Sequence, residues 1–312
     1  MYNPRHNPLP RVAAIHDLSG IGHTSLCIVI PVFSAMGIQA CPLPTAVLSS
    51  QTGGVDDFCF VDLTGPMRNF LDHWKRLDLK FDAVYSGFLG SPAQAEIVAD
   101  CIVSCLDQDG LAVVDPVLGD NGKLDPTMTP AMVESLRWLV SKADCITPNF
   151  TEAALLLGET MPPAVMQSPD VSGSARLYAD LEEVKDWLRR LAQIGPRYSV
   201  ITSVPLRGRH RDGSAVLAYD SGQDRFWKVE CEYIPAFYPG TGDTFTSVLT
   251  AGLLRGDSLP LAMDRAVQFV TLGIRATFGH DLPMRDGILL ERVLDSLHSP
   301  LITSSYELLD NK

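Results

Sequence analysis

Pro239-Gly240-Thr241-Gly242-Asp243-Thr244-Phe245 stands directly before a long stretch of helical period. Two glycines allow a tight backbone with unobstructed N–H groups. The start of a helix adds free donors and a partial positive charge, which together suit a phosphate. Asp243 then sits where a carboxylate can accept a proton from an attacking hydroxyl. The same residues also describe an aspartate that merely caps a helix after a glycine-rich turn. What surrounds the turn decides between the two.

Outward from it, short apolar runs alternate with longer stretches of helical period. That is the pattern of a mainly parallel sheet covered by helices, an α/β fold. Strands are expected at 11–16, 39–48, 83–86, 111–114, 144–147 and 199–202. Helices are expected at 22–36, 92–106, 130–140, 181–192, 242–254, 259–276 and 288–297. Gly37 is a helix stop, and the helices at 92 and 130 begin with proline, where a missing N–H costs nothing. Residues 214–219 and 225–231 flank Asp220-Ser221-Gly222 and read as a hairpin. Residues 58–63 read as an edge strand or flap, and 162–173, rich in proline, serine and glycine, as a surface loop. With no internal repeat and no low-complexity linker, one domain is expected over 11–298, with tails at 1–10 and 299–312.

Composition narrows the function. Of 312 residues, 46% are hydrophobic and 20% charged, enough for a sizeable core. A formal net charge of −12 offers no basic surface for nucleic acid. Nucleotides remain open, because a few local donors hold a phosphate inside an acidic protein. Seven cysteines with no Cys-x-x-Cys pair fit a reducing cytoplasm better than a disulfide framework or a zinc site. Residues 1–10 lack the apolar centre of a signal peptide, and no apolar run nears the roughly 20 residues that span a bilayer. A cytoplasmic protein with neither nucleic-acid nor membrane partners is expected.

Three other strand ends carry polar groups. Asp115-Pro116-Val117-Leu118-Gly119-Asp120 follows one strand, in the crevice position where open α/β sheets bind ligands. Asn149-Phe150-Thr151-Glu152 follows the next and opens a helix; an amide and a carboxylate three apart suit either a capping pair or a hydrated Mg²⁺. Thr202-Ser203 ends a further strand and can donate to phosphate oxygens.

These four motifs, in this order and spacing, resemble the ribokinase-like superfamily and within it the pyridoxal kinases. The resemblance runs from about Arg11 to Ala276. It implies a three-layer ribokinase-like fold with a small flap, and ATP-dependent phosphorylation of the 5′-hydroxymethyl group of pyridoxal, pyridoxine or pyridoxamine. Asp243 would then be the general base, with the backbone of Gly240, Thr241 and Gly242 forming an anion hole. Asp115 and Glu152 would organise Mg²⁺ and the phosphates, with Asn149 beside them, while Thr202 and Ser203 would face the nucleotide. The resemblance also allows a monovalent cation and implies a homodimer.

By the same resemblance, 16–22 and 44–53 line the ring pocket, placing Asp17 and Thr52 at ring-contacting positions and Phe88 nearby. Asp17 stands where several members carry serine, and a carboxylate there suits a protonated ring nitrogen or a hydroxyl donor. His16 and His23 are read as core or surface histidines. Pocket closure is expected from 56–63 or from the basic segment 207–211.

Rival readings are weaker. Gly20-Ile21-Gly22 lacks the third glycine of a dinucleotide fingerprint, with Ser25 in its place, and no P-loop motif occurs. A vitamer-binding protein without catalysis has no use for a base beside an anion hole. Hydroxymethylpyrimidine kinases share the fold and chemistry, but they and the pyridoxal kinases allied to them commonly carry cysteine where this chain has Asp243, so the aspartate favours the other pyridoxal branch.

Overall fold

The computed structural model describes residues 8–52, 55, 57–159, 179–206, 214–231, 234, 236–280, 282–301 and 303–311. The expected loop at 162–173, the segment 207–211, Asp56 and most of the N-terminal tail lie outside these residues.

The chain opens with β1 (Arg11–Ser19), α1 (Leu26–Ala35), β2 (Gln39–Leu48), β3 (Phe60–Asp62), α2 (Thr64–Arg76) and β4 (Phe81–Ser86). There follow α3 (Pro92–Cys105), β5 (Leu106–Val114), a small hairpin of β6 (Gly119–Asp120) and β7 (Lys123–Leu124), α4 (Pro130–Val140), β8 (Cys145–Ile146) and α5 (Phe150–Leu157). Then come α6 (Leu181–Ile194), β9 (Tyr198–Val204), β10 (Ser214–Asp220), β11 (Arg225–Cys231), α7 (Thr241–Leu254), α8 (Leu259–Thr277) and β12 (Tyr306–Leu309).

Ten strands form one sheet in the order β12-β11-β10-β9-β8-β5-β4-β1-β2-β3. The central pairs from β2 to β9 are parallel, while β3 at one edge and β10, β11 and β12 at the other run antiparallel. β1 shows why the centre reads as a continuous apolar run: Val12, Ala13, Ala14 and Ile15 are all buried, since helices cover both faces. Ala13 and Ile15 point into a core shared with Val84, Leu136, Leu156 and Leu188. Val12 and Ala14 point the other way, to Val29, Phe33, Val248 and Met263. The two-residue period of a strand thus feeds two helical layers. Among the described residues no helix is long and apolar enough to cross a membrane.

Three elements differ from expectation. α2 was not legible, because only Met67 and Leu71 are buried along it. The helix expected over 288–297 is a pair of 3₁₀ turns, Leu290–Arg292 and Leu294–His298. The C-terminal tail expected from 299 onward is corrected, for Tyr306–Leu309 pairs with β11 as the last strand. Distant contacts hold it there: Lys185 Nζ donates to the Asp310 carbonyl at 2.6 Å, and Tyr306 meets Trp227 edge-on. The flap segment is likewise tied down at β3. Leu63 N–H donates to the Thr45 carbonyl at 3.0 Å, and Gln94 Nε2 to Asp62 Oδ1 at 3.0 Å.

Candidate active site

Six parallel strands end at one edge of the sheet, and every sequence-derived site residue lies at that edge or on the start of a helix facing it. α7 begins there, with Gly240 as its N-cap in left-handed backbone, φ +81°. A Cβ at Gly240 would fall 2.0 Å from the His23 carbonyl oxygen, so only glycine lets this turn lie against the connection from β1 to α1. That close approach puts Asp243, in the first turn of α7, opposite the end of β1.

Asp243 Oδ2 accepts the Ser25 N–H at 2.8 Å, and Oδ1 lies 3.7 Å from His16 Nδ1. With only 14% of its side chain open, the carboxyl has its pKa pushed up to about 7 by burial. The Ser25 N–H works against that rise, and the nearby Asp17 charge adds to it. A carboxylate poised near neutrality is what proton abstraction at that pH calls for. His16 is wholly buried and held neutral, its pKa lowered to about 3 by desolvation, so the two do not form an ion pair. Neither ring nitrogen of His16 has a hydrogen-bond partner among the described residues. Gly87 makes room for that ring, since a Cβ there would meet Nδ1 at 2.3 Å. His23, by contrast, is a surface histidine bonded to Glu291 Oε1 at 2.8 Å.

Asp17 lies at the end of β1, buried, accepting the Ser25 hydroxyl at 2.5 Å and the Ser19 hydroxyl at 3.1 Å. Burial raises its pKa against both hydrogen bonds. Thr52 donates to Asp125 Oδ2 at 3.3 Å, linking the loop after β2 to the segment after β7. Phe88, expected beside the ring, is only 7% exposed and packs its side chain into the core. Thr45 fixes the Phe88 carbonyl at 3.0 Å.

Asp115, at the end of β5, is buried beside Thr246, which donates to it at 3.4 Å. A Cβ on Gly242 would lie 4.0 Å from Asp115 Oδ2, so this acid sits next to the helix start. Its pKa is pushed well up by burial, then by the charges of Glu152 and Asp243. Asn149 and Glu152 form a full capping box on α5. Glu152 takes the N–H of Asn149 at 2.7 Å and of Leu118 at 3.1 Å, while the Asn149 amide donates to the Gly119 carbonyl at 2.9 Å. The pair therefore clamps the β6–β7 hairpin to α5, and contact with a cation falls to the lone pairs left on Glu152. Burial raises the Glu152 pKa as well. Among the described residues no group of three or more His, Cys, Asp or Glu is placed to hold a metal directly. Thr202 and Ser203 lie in β9 beside Asn149, with Ser203 exposed in left-handed backbone at φ +56°.

Sequence reasoning missed the role of Ser25, which touches both Asp17 and Asp243. Its only signal was its place after Gly20-Ile21-Gly22. His16, read as a core or surface histidine, is wholly buried, and its ring also borders Asp243.

The phosphomethylpyrimidine kinase family profile matches residues 30–285. A candidate phosphomethylpyrimidine kinase of Bacteroides thetaiotaomicron, solved with pyridoxal, is 49% identical, with a TM-score of 0.88 over 96% of this chain and 100% of that one. The pyridoxal kinase of Lactobacillus plantarum is 31% identical, with a TM-score of 0.79 over 93% of this chain and 96% of that one. The hydroxymethylpyrimidine/phosphomethylpyrimidine kinase of Streptomyces coelicolor is 28% identical over 81% of this chain and 83% of its own length. With its ribokinase-like sheet and a match across most of its length, the chain belongs to the phosphomethylpyrimidine kinase family of phosphotransferases.

Proposed function

We propose that the chain is a pyridoxal-type kinase, transferring the γ-phosphoryl group of ATP to the 5′-hydroxymethyl group of a pyridoxal vitamer. The observation that carries this reading is Asp243: a carboxylate near neutral pKa at the start of α7, with a second buried acid, Asp17, close by. The likeness to a protein solved with pyridoxal supports it. The second reading, a hydroxymethylpyrimidine kinase, is favoured by the family profile and the Streptomyces relative. Against it stands an aspartate at a position where that branch commonly has cysteine.

In this mechanism Asp243 Oδ1, the oxygen not engaged by the Ser25 N–H, takes the proton of the attacking hydroxyl. The N–H groups of Gly240, Thr241 and Gly242 hold the charge of the transferring group at the helix start. Thr202 and Ser203 donate to nucleotide phosphates, and Asp17 holds a ring nitrogen or hydroxyl of the acceptor. Asp115 and Glu152 are buried carboxylates with no lysine or arginine partner among the described residues, and such a pair fits a divalent cation that keeps its own waters. Asp115 and Glu152 would hold Mg²⁺ through its waters, and the ion would neutralise charge on the phosphates.

The test is ATP consumption measured in parallel against pyridoxal, pyridoxine, pyridoxamine and hydroxymethylpyrimidine. Vitamer kcat/KM above that for hydroxymethylpyrimidine is expected. The reverse order would transfer the assignment to the second reading.

A further inference from the structure

Ser25 closes the turn between β1 and α1 with φ +50° and ψ −128°. This backbone region suits glycine and strains a residue that carries a Cβ. An ordinary serine N-cap sits in extended backbone and turns its hydroxyl onto the first N–H groups of its own helix. Ser25 makes no such capping bond. Its N–H reaches Asp243 Oδ2 at 2.8 Å, its hydroxyl reaches Asp17 Oδ1 at 2.5 Å, and its carbonyl accepts the N–H groups of Ile28 and Val29 at 2.9 Å. Every polar group of the residue is committed, and the residue is 6% exposed. The two donors diverge from one Cα toward two acids on different elements, one at the end of β1 and one on α7. In the extended conformation of an ordinary cap the hydroxyl would return to α1 and leave Asp17 with Ser19 alone.

We propose that Ser25 is a positioning residue for the phosphoryl acceptor: it fixes the acceptor-binding carboxylate Asp17 against the base Asp243, and is held in strained backbone to do so. The proposal rests on the roles given above to Asp17 and Asp243. Two variants separate its parts. Ser25→Ala and Ser25→Gly both remove the hydroxyl and keep the N–H, so both lose the hold on Asp17 and retain that on Asp243. A hydrogen bond to a buried carboxylate is lost in each, so the acceptor KM rises about tenfold in both. The KM for ATP stays unchanged, and kcat stays within about twofold. The lost hydroxyl cancels between the two variants, which leaves the backbone term. Glycine should melt about 2–4 °C above alanine, because relief of strain exceeds its added unfolded-state entropy.

An unchanged acceptor KM in Ser25→Ala, or an equal rise in both substrates' KM, would reduce the hydroxyl to a packing group and overturn the proposal. Glycine melting at or below alanine would overturn the strain. If the alanine variant fails to fold, the glycine variant still carries the kinetic arm. The series is run with whichever of pyridoxal and hydroxymethylpyrimidine the wild-type chain phosphorylates. A wrong acceptor therefore fails in the wild type and a wrong role for Ser25 in the variants. If the wild type phosphorylates neither, the reading of the site has failed, while the melting order still decides whether Ser25 is strained.

Discussion

At Asp243 two effects oppose each other: burial disfavours the carboxylate and the Ser25 N–H favours it. Burial wins, and the pKa comes to rest at about 7. Only the ionised form can accept the hydroxyl proton, so kcat/KM at limiting substrate should rise with pH through about 7 and level above it. His16, neutral at a pKa of about 3, adds no limb in that range. Asp243→Asn should remove the limb and lower kcat by about 10²–10⁴-fold while leaving ATP affinity in place. A pH–rate profile and nucleotide titration on both proteins check this, and near-normal turnover in the variant would remove Asp243 from the base's role.

At the scale of elements, what the sequence made legible follows from locality. β2, β11 and α4 could be read to the residue because alternation, continuous apolar runs and an N1 proline are carried by neighbouring residues. β12 could not, since its pairing depends on β11 and on Lys185 in α6, far away in the chain. The site divides the same way. Gly240 to Asp243 announced a helix start, whereas the two hydrogen bonds of Ser25 depend on how α7 meets the first turn of the chain. That meeting is testable at the two ends of α7. Gly240, before it, and Gly256, after it, both have positive φ, +81° and +89°. A Cβ at Gly240 would strike the His23 carbonyl at 2.0 Å, while one at Gly256 would meet nothing within 4 Å. Gly256→Ala should therefore cost about 1 kcal/mol of left-handed strain alone. Gly240→Ala adds the clash, for about 2–4 kcal/mol, and loses turnover as well. Urea unfolding of the pair measures the difference, and equal costs would mean that α7 does not rest on the His23 turn.

For the whole molecule the same acids set a balance between stability and function. Asp17, Asp115, Glu152 and Asp243 are gathered at one edge of the sheet in a chain of net charge −12, and burial raises the pKa of each. A carboxyl with a raised folded-state pKa keeps its proton in the folded protein over a range where the unfolded chain has lost it. Folding then takes up a proton, and stability falls as pH rises through that window, from about 4 to about 7 for Asp243. Asp100 acts in the opposite sense, because its hydrogen bonds from Lys75 and Ser104 outweigh burial and hold its pKa down. Its contribution is lost only as pH falls below its ordinary value of 3.8, outside the acids' window. His16, lowered from 6.5 to about 3, opposes the acids inside that window, because the unfolded chain takes up a proton there that the buried ring refuses. One histidine, however, stands against four raised acids. The ligand-free protein should thus melt highest near pH 4–5 and lower at each step toward pH 8, by a few degrees in all. On the proposed mechanism Mg²⁺ with ATP would bind the ionised acids, so it should stabilise most at the alkaline end and flatten the slope. Asp243→Asn should remove the share of the slope that Asp243 carries, with or without activity. Calorimetry across pH 4–8, with and without Mg²⁺·ATP, gives the three curves. A ligand-free melting point that climbs through this range would mean that His16 sets the slope and that the acids are ionised in the folded protein, so that Asp243 holds no proton there.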